Sequence, residues 1–143
     1  MKTFALAGLL AITATFAMAE GVNHKVAVHV DENDPQVMNM ALNNVGNLIS
    51  YYAEQGDTVT VEVVTYGPGL MMLVEGESPV ADRIAAMTLA NDGLTFAACA
   101  NTLAGMEKKA GHDIPLMSEA TVVPSGVVQL ITLQEDGYAY VRP

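Results

Sequence analysis

Two runs rich in β-branched residues constrain most strongly what this chain can fold into. Residues 25–30 read KVAVHV and residues 58–66 read TVTVEVVTY. Val and Thr lose side-chain freedom in a helix and pack well on a pleated surface, so both runs predict strands. In the first, Val26, Val28 and Val30 alternate only with Ala27 and His29. A strand with so little polar character on either side is buried on both faces, which is the condition of a parallel sheet covered by helices.

The segments between the strands agree. Asp34-Pro35 predicts a helix start, because the Asp side chain caps free amides and proline suits the first helical position. Val37, Ala41, Val45, Leu48, Ile49 and Tyr52 then recur at helical spacing until Gly56. After Gly67-Pro68-Gly69, the short run LMMLV predicts a helical turn or two, and Ser78-Pro79 repeats the cap-plus-proline signal for a helix to Asn91. A third strand, residues 94–99, is followed by Asn101 as a predicted cap and a helix that closes at Gly111. A fourth strand spans 119–123, Ser125 is placed as the cap of a helix over 127–134, and 138–141 form a terminal strand. The order β-α-β-α-α-β-α-β-α-β predicts an α/β fold: a single three-layer α/β/α domain with a mostly parallel five-stranded sheet.

The first 19 residues are set apart from this domain. Lys2 gives a positive start, residues 4–16 are apolar, and Ala17-Met18-Ala19 fits the small-x-small pattern of signal cleavage. Residues 1–19 are therefore expected to be a cleaved signal peptide and 20–143 the mature domain, placed in a bacterial periplasm. The mature part carries five Lys and Arg against sixteen Asp and Glu, a net charge of −11. That balance excludes nucleic acid and anionic membrane surfaces, which need basic patches. No membrane association is expected after cleavage.

In a parallel sheet the strand-to-helix turns gather at the carboxyl edge, where open α/β sheets place their ligands. Here that edge collects His29 to Asn33, Gly67-Pro68-Gly69, Cys99 to Thr102 and Pro124-Ser125-Gly126. Cys99 is the single cysteine, so no intrachain disulfide forms even in an oxidising compartment. It is a small apolar filler, an intermolecular partner or a reactive thiol. A thiol at a helix start is favoured as thiolate, whereas apolar neighbours such as Phe96 push the other way. His29 ends a strand at the same edge and is a candidate acid or base. Asn43 belongs to an amide stripe with Gln36, Asn39 and Asn47, which is either a solvated face or the lining of a cleft or subunit contact. Ser125 suits capping better than nucleophilic attack. The histidines lack zinc-ligand spacing, the seven mature methionines are scattered as core residues are, and Gly67-Pro68-Gly69 lacks the third glycine of a dinucleotide fingerprint. No metal or cofactor is expected.

Taken together, KVAVHV, VEVVTYGPGLMML, FAACANTL and VVPSGVVQLITLQEDGYAYVRP resemble the DsrE/DsrF-like (YchN-like) sulfur-relay family over about residues 25–143. The resemblance implies a compact α/β/α domain assembled as a homo-oligomer, a trimer or hexamer, and a cysteine that carries sulfur as a persulfide. Cys99 matches that cysteine by its place after the third strand, and a sulfur donor or acceptor protein is the implied partner. On this reading Cys99 is the reactive group, the loop residues Gly67, Gly69, Asn101, Thr102, Ser125 and Gly126 surround it, and His29 and Asn43 are further cleft candidates. The rival expectation is a non-catalytic oligomeric module that binds a small ligand or a redox partner.

Overall fold

The computed structural model describes residues 21–143; the expected signal segment lies outside the described residues. Five strands form one sheet: β1 (Asn23–Val30), β2 (Thr58–Thr65), β3 (Leu94–Cys99), β4 (Ala120–Val123) and β5 (Ala139–Val141). The helices are α1 (Pro35–Glu54), α2 (Ala81–Ala90), α3 (Ala100–Ala110) and α4 (Gly126–Glu135), with a 3-10 helix over Gly67–Leu73. The strand order is β4-β3-β2-β1-β5, and every neighbouring pair is parallel. An isolated antiparallel bridge, Val74 to Leu116, ties the end of the 3-10 helix to the segment before β4.

Side-chain alternation divides the sheet into two unequal faces. Val26, Val28, Val30, Val61, Val63, Leu94, Phe96 and Ala98 pack with Met38, Leu42 and Val45 of α1, Ile84 of α2 and Leu70, Met72 and Leu73 of the 3-10 helix. Leu103 and Met106 of α3 join the rim of this larger core. On the opposite face Ala27, Val64 and Ala97 pack against Leu130 and Leu133 of α4. The chain steps from β1 to β4 in one direction with α1, α2 and α3 on the first face, then returns across the second face through α4 to β5. Right-handed crossovers require that division: reversing the direction of travel puts the connecting helix on the other side. Because α4 sets out from β4 on the second face, its N-terminus begins near the carboxyl end of β3.

Two of the expected helix starts are displaced. Ser78 does not cap α2: Val80 occupies the capping position, and Ser78 Oγ instead donates to the Met72 carbonyl at 2.6 Å and accepts from Val80 N–H at 3.3 Å. The cap-and-proline signal therefore makes the turn before the helix. Asn101 does not cap α3 either, since the helix starts at Ala100 and Cys99 itself stands at the capping position. Elsewhere the sequence signals hold, with Asp34 Oδ1 accepting from Gln36 N–H at 2.7 Å and Ser125 Oγ from Val128 N–H at 3.5 Å.

One glycine fixes how the loops lie at the carboxyl edge. A Cβ on Gly69 would meet the Val30 carbonyl oxygen at 2.3 Å and Asp31 Cα at 2.8 Å, so the 3-10 helix rests directly on the backbone that leaves β1. Backbone cannot move aside as a side chain can. Gly69→Ala is expected to lower stability by about 1–3 kcal/mol, the usual cost of overpacking. Gly46→Ala is the control, because its Cβ meets nothing within 4 Å among the described residues; in α1 it should stabilise by up to about 1 kcal/mol. Urea unfolding of both variants checks the pair.

Candidate functional site

Cys99 ends β3 and immediately precedes the first residue of α3, with no loop between. Alternation along β3 turns its side chain to the second face, with Ala97 and beneath the start of α4. The residue is 5% exposed. As a neutral thiol it makes no capping hydrogen bond among the described residues; the groups around it are arranged for the anion. Burial pushes the thiol pKa up, but the N–H of Gly126, the hydroxyl and N–H of Thr102 and the N–H of Asn101 together outweigh burial and hold it below the ordinary value. The positive end of the α3 dipole acts in the same sense. Of the two effects that the sequence leaves in opposition, the donors outweigh burial and the thiol pKa is lowered.

The Thr102 hydroxyl is oriented by a second contact. Gly67 N–H donates to Thr102 Oγ1 at 2.9 Å. With its oxygen engaged as an acceptor, the hydroxyl has its own hydrogen left to give to the sulfur. Gly67, whose φ is +54°, therefore serves the site through Thr102, and the left-handed conformation that aims its amide suits glycine. Gly126 has a different requirement. A Cβ there would stand 2.7 Å from Cδ1 of Tyr66 and 3.0 Å from its Cβ. Only without a side chain does the first residue of α4 sit on the Tyr66 ring and reach the thiol with its N–H.

Tyr66 links the thiol to a second group of residues. Its ring stacks on His29 with centroids 4.5 Å apart. His29 Nδ1 lies 2.7 Å from Tyr140 Oη, and Nε2 lies 3.8 Å from Asp31 Oδ2. Asp31 in turn accepts from Arg142, whose Nε and Nη2 stand 3.2 and 3.0 Å from Oδ1, and Arg142 Nη2 also reaches Glu32 at 3.3 Å. Burial lowers the His29 pKa, Asp31 opposes that change and Arg142 adds to it, with a net shift below the ordinary value. Burial, then the charges of Asp31, Tyr140 and Cys99, hold the Tyr66 phenol above its usual range. At neutral pH the imidazole and this phenol are both uncharged.

The residues singled out from the sequence separate into three groups. Asn101, Thr102 and Gly126 lie about Cys99, with Gly67 behind Thr102 and His29 stacked on Tyr66. Ser125 and Gly69 lie at the edge in supporting roles: Ser125 caps α4, and the Gly69 amide is spent on the Tyr66 carbonyl at 3.2 Å. Asn43 is engaged elsewhere. Its Oδ1 and that of Asn39 accept from the two Arg83 amino groups at 2.8 and 2.5 Å, so the amide stripe clamps α2 onto α1. Tyr66, Asp31, Tyr140 and Arg142 complete the edge without having been singled out. Tyr66 carried a usable signal, because alternation after Val64 puts it on the Cys99 face. Arg142 and Tyr140 carried none, since their approach depends on β5 pairing with β1, 111 residues away in sequence.

Comparison with known proteins shows the family to which this fold belongs. The DsrE/DsrF-like family model matches residues 7–143. A solved protein of unknown function, MTH1491 from Methanobacterium thermoautotrophicum, shares 32% sequence identity and a TM-score of 0.70, covering 84% of this chain and 99% of that one. No curated protein matches. With the family model spanning nearly the whole sequence and a parallel α/β/α fold to go with it, the chain belongs to the DsrE/DsrF-like family.

Proposed function

We propose that this protein is an exported sulfur carrier in which Cys99 accepts sulfane sulfur as a persulfide and hands it to an acceptor. The observation that carries this reading is the place of Cys99 at the capping position of α3, where the N–H of Gly126, the hydroxyl and N–H of Thr102 and the N–H of Asn101 act to lower its pKa. A carrier of this kind needs a nucleophilic thiol and donors that stabilise negative sulfur, and the groups about Cys99 act in that direction. The thiolate attacks the outer sulfur of a donor persulfide R–S–SH. The Sγ–S bond forms, the donor S–S bond breaks, and its electron pair leaves on R–S⁻, which takes up a proton from solvent. No external oxidant or reductant enters. With no second cysteine in the chain, the sulfur leaves only by attack of another molecule's nucleophile, so a donor or acceptor protein is part of the proposal. Export rests on the charge and hydropathy pattern of residues 1–19, and a periplasmic location follows from it. No helix among the described residues is long and apolar enough to cross a membrane.

A homo-oligomer, trimer or hexamer, completes the reading. On the second face of the sheet α4 turns Val127, Val128 and Ile131 outward at 50%, 58% and 50% exposure. Apolar side chains grouped on one side of a small domain suit contact with another chain. The same surface also suits the rival reading, a module that docks on a redox partner without chemistry at Cys99.

Three outcomes test the proposal. After exposure of the mature protein to a polysulfide donor, intact mass spectrometry should show an added sulfur atom on the wild type and none on Cys99→Ser; an unmodified wild type beside a modified control thiol would overturn it. Thr102→Val should raise the pH midpoint of Cys99 alkylation by about one unit, since a hydrogen bond to a charged group is worth roughly 1.5–3 kcal/mol. Light scattering on the mature protein should give a mass of three or six chains, and a strict monomer would contradict the oligomer.

A further inference from the structure

Part of the carboxyl edge is left unused by the thiol chemistry: the His29 imidazole with its two phenols and the Arg142–Asp31 pair. The His29 side chain is 6% exposed, and its Nε2 is buried without a hydrogen-bond partner among the described residues. A neutral imidazole carries its hydrogen on one nitrogen or the other. Asp31 Oδ2 stands 3.8 Å from Nε2. A lone pair on Nε2 would face that carboxylate, whereas an Nε2–H presents its positive end to it. The hydrogen therefore sits on Nε2, and Nδ1 accepts from the Tyr140 hydroxyl at 2.7 Å. Tyr140 is 44% exposed, so the residue that holds Nδ1 borders on solvent. The Nε2 side of the ring is closed.

On its flat side the ring leads inward. Tyr66 stacks on it, and the same Tyr66 ring supports Gly126, whose N–H acts on Cys99.

We propose that His29 is a positioning residue for Cys99, acting through Tyr66, and that it exchanges its proton with solvent through Tyr140. The proposal rests on the reading of Cys99 as a reactive thiol. When a proton arrives, Nδ1 becomes a donor to the Tyr140 oxygen, and the Tyr140 hydrogen turns out to solvent. The ring is then a cation. It faces Asp31 from the turn after β1 with Glu32 beyond it, Arg142 after β5, the phenols of Tyr66 and Tyr140, and Cys99 beyond Tyr66. A cation here favours the anion at Cys99. Burial and Arg142 oppose the cation, so it forms below the pH at which an ordinary histidine titrates.

The test is the rate of Cys99 alkylation against pH in the wild type, H29Q and Y140F, with ring nitrogen resonances of His29 recorded in parallel. In the wild type the rate should fall on the acid side less steeply than one ionisation requires, because protonated His29 sustains the thiolate. H29Q should follow a single ionisation, and Y140F, which alters a half-exposed residue, should move the acid inflection. At neutral pH the resonances should place the hydrogen on Nε2. A reactive wild type whose curve superimposes on that of H29Q would overturn this proposal alone, because a merely structural histidine would change unfolding and leave the profile in place. An acid inflection unmoved in Y140F, or a hydrogen found on Nδ1, would overturn the route through Tyr140. A wild-type thiol inert at every pH would overturn the thiol reading and this proposal with it.

Discussion

Parallel strands send all their carboxyl ends to one edge of the sheet, and each helix that follows begins there with amide N–H groups that have no partner within the helix. In this protein the turn after β3 has shrunk to nothing, so Cys99 is both the last residue of the strand and the capping residue of α3. The free amides at the start of α3 are therefore brought to the sulfur with no intervening loop to blunt them. The rest of the edge follows from that junction. Thr102 lies within the first turn of α3, the Gly67 amide orients its hydroxyl, and α4 must begin close by because it crosses back over the second face.

The unequal covering of the two faces is what makes this arrangement usable. The first face is sealed by α1, α2, α3 and the 3-10 helix around Phe96 and its neighbours, and that larger core supports the fold. The second face carries the candidate site residues Cys99, Tyr66 and His29 under a single described helix, with a small core of Ala27, Val64, Ala97, Leu130 and Leu133. Small residues at Ala27 and Ala97 let α4 lie close to the sheet. Closeness is needed, since Gly126 has to reach past the Tyr66 ring. The larger core and the candidate site thus lie on opposite sides of the same strands.

Much of this was legible in the sequence. The β-branched runs, the helix signals at Asp34-Pro35 and Ser125, and the alternation of elements lead directly to the parallel α/β/α fold, and the lone cysteine after the third strand marks the candidate site. Local signals failed where a tertiary contact redirected a residue. Ser78 has the chemistry of a cap, but the Met72 carbonyl of the 3-10 helix takes its hydroxyl. Asn43 has the look of a cleft residue, but its side-chain oxygen accepts from the Arg83 guanidinium. Arg142, Asp31 and Tyr140 meet only because β5 adds to the edge of β1, and no spacing along the chain encodes that meeting.

At neutral pH the groups that favour the Cys99 thiolate are fixed backbone amides and the Thr102 hydroxyl rather than a charged side chain. Ultraviolet titration of the thiolate in the native protein, with Cys99→Ser as the blank, measures this directly. The account predicts a midpoint clearly below that of the same cysteine in the unfolded chain, and little change when added salt screens surface charge, because the donors are fixed amides and a hydroxyl at short range. A native midpoint equal to or above the unfolded one would show that burial prevails over the donors of Gly126, Thr102 and Asn101, and that Cys99 is a packing residue.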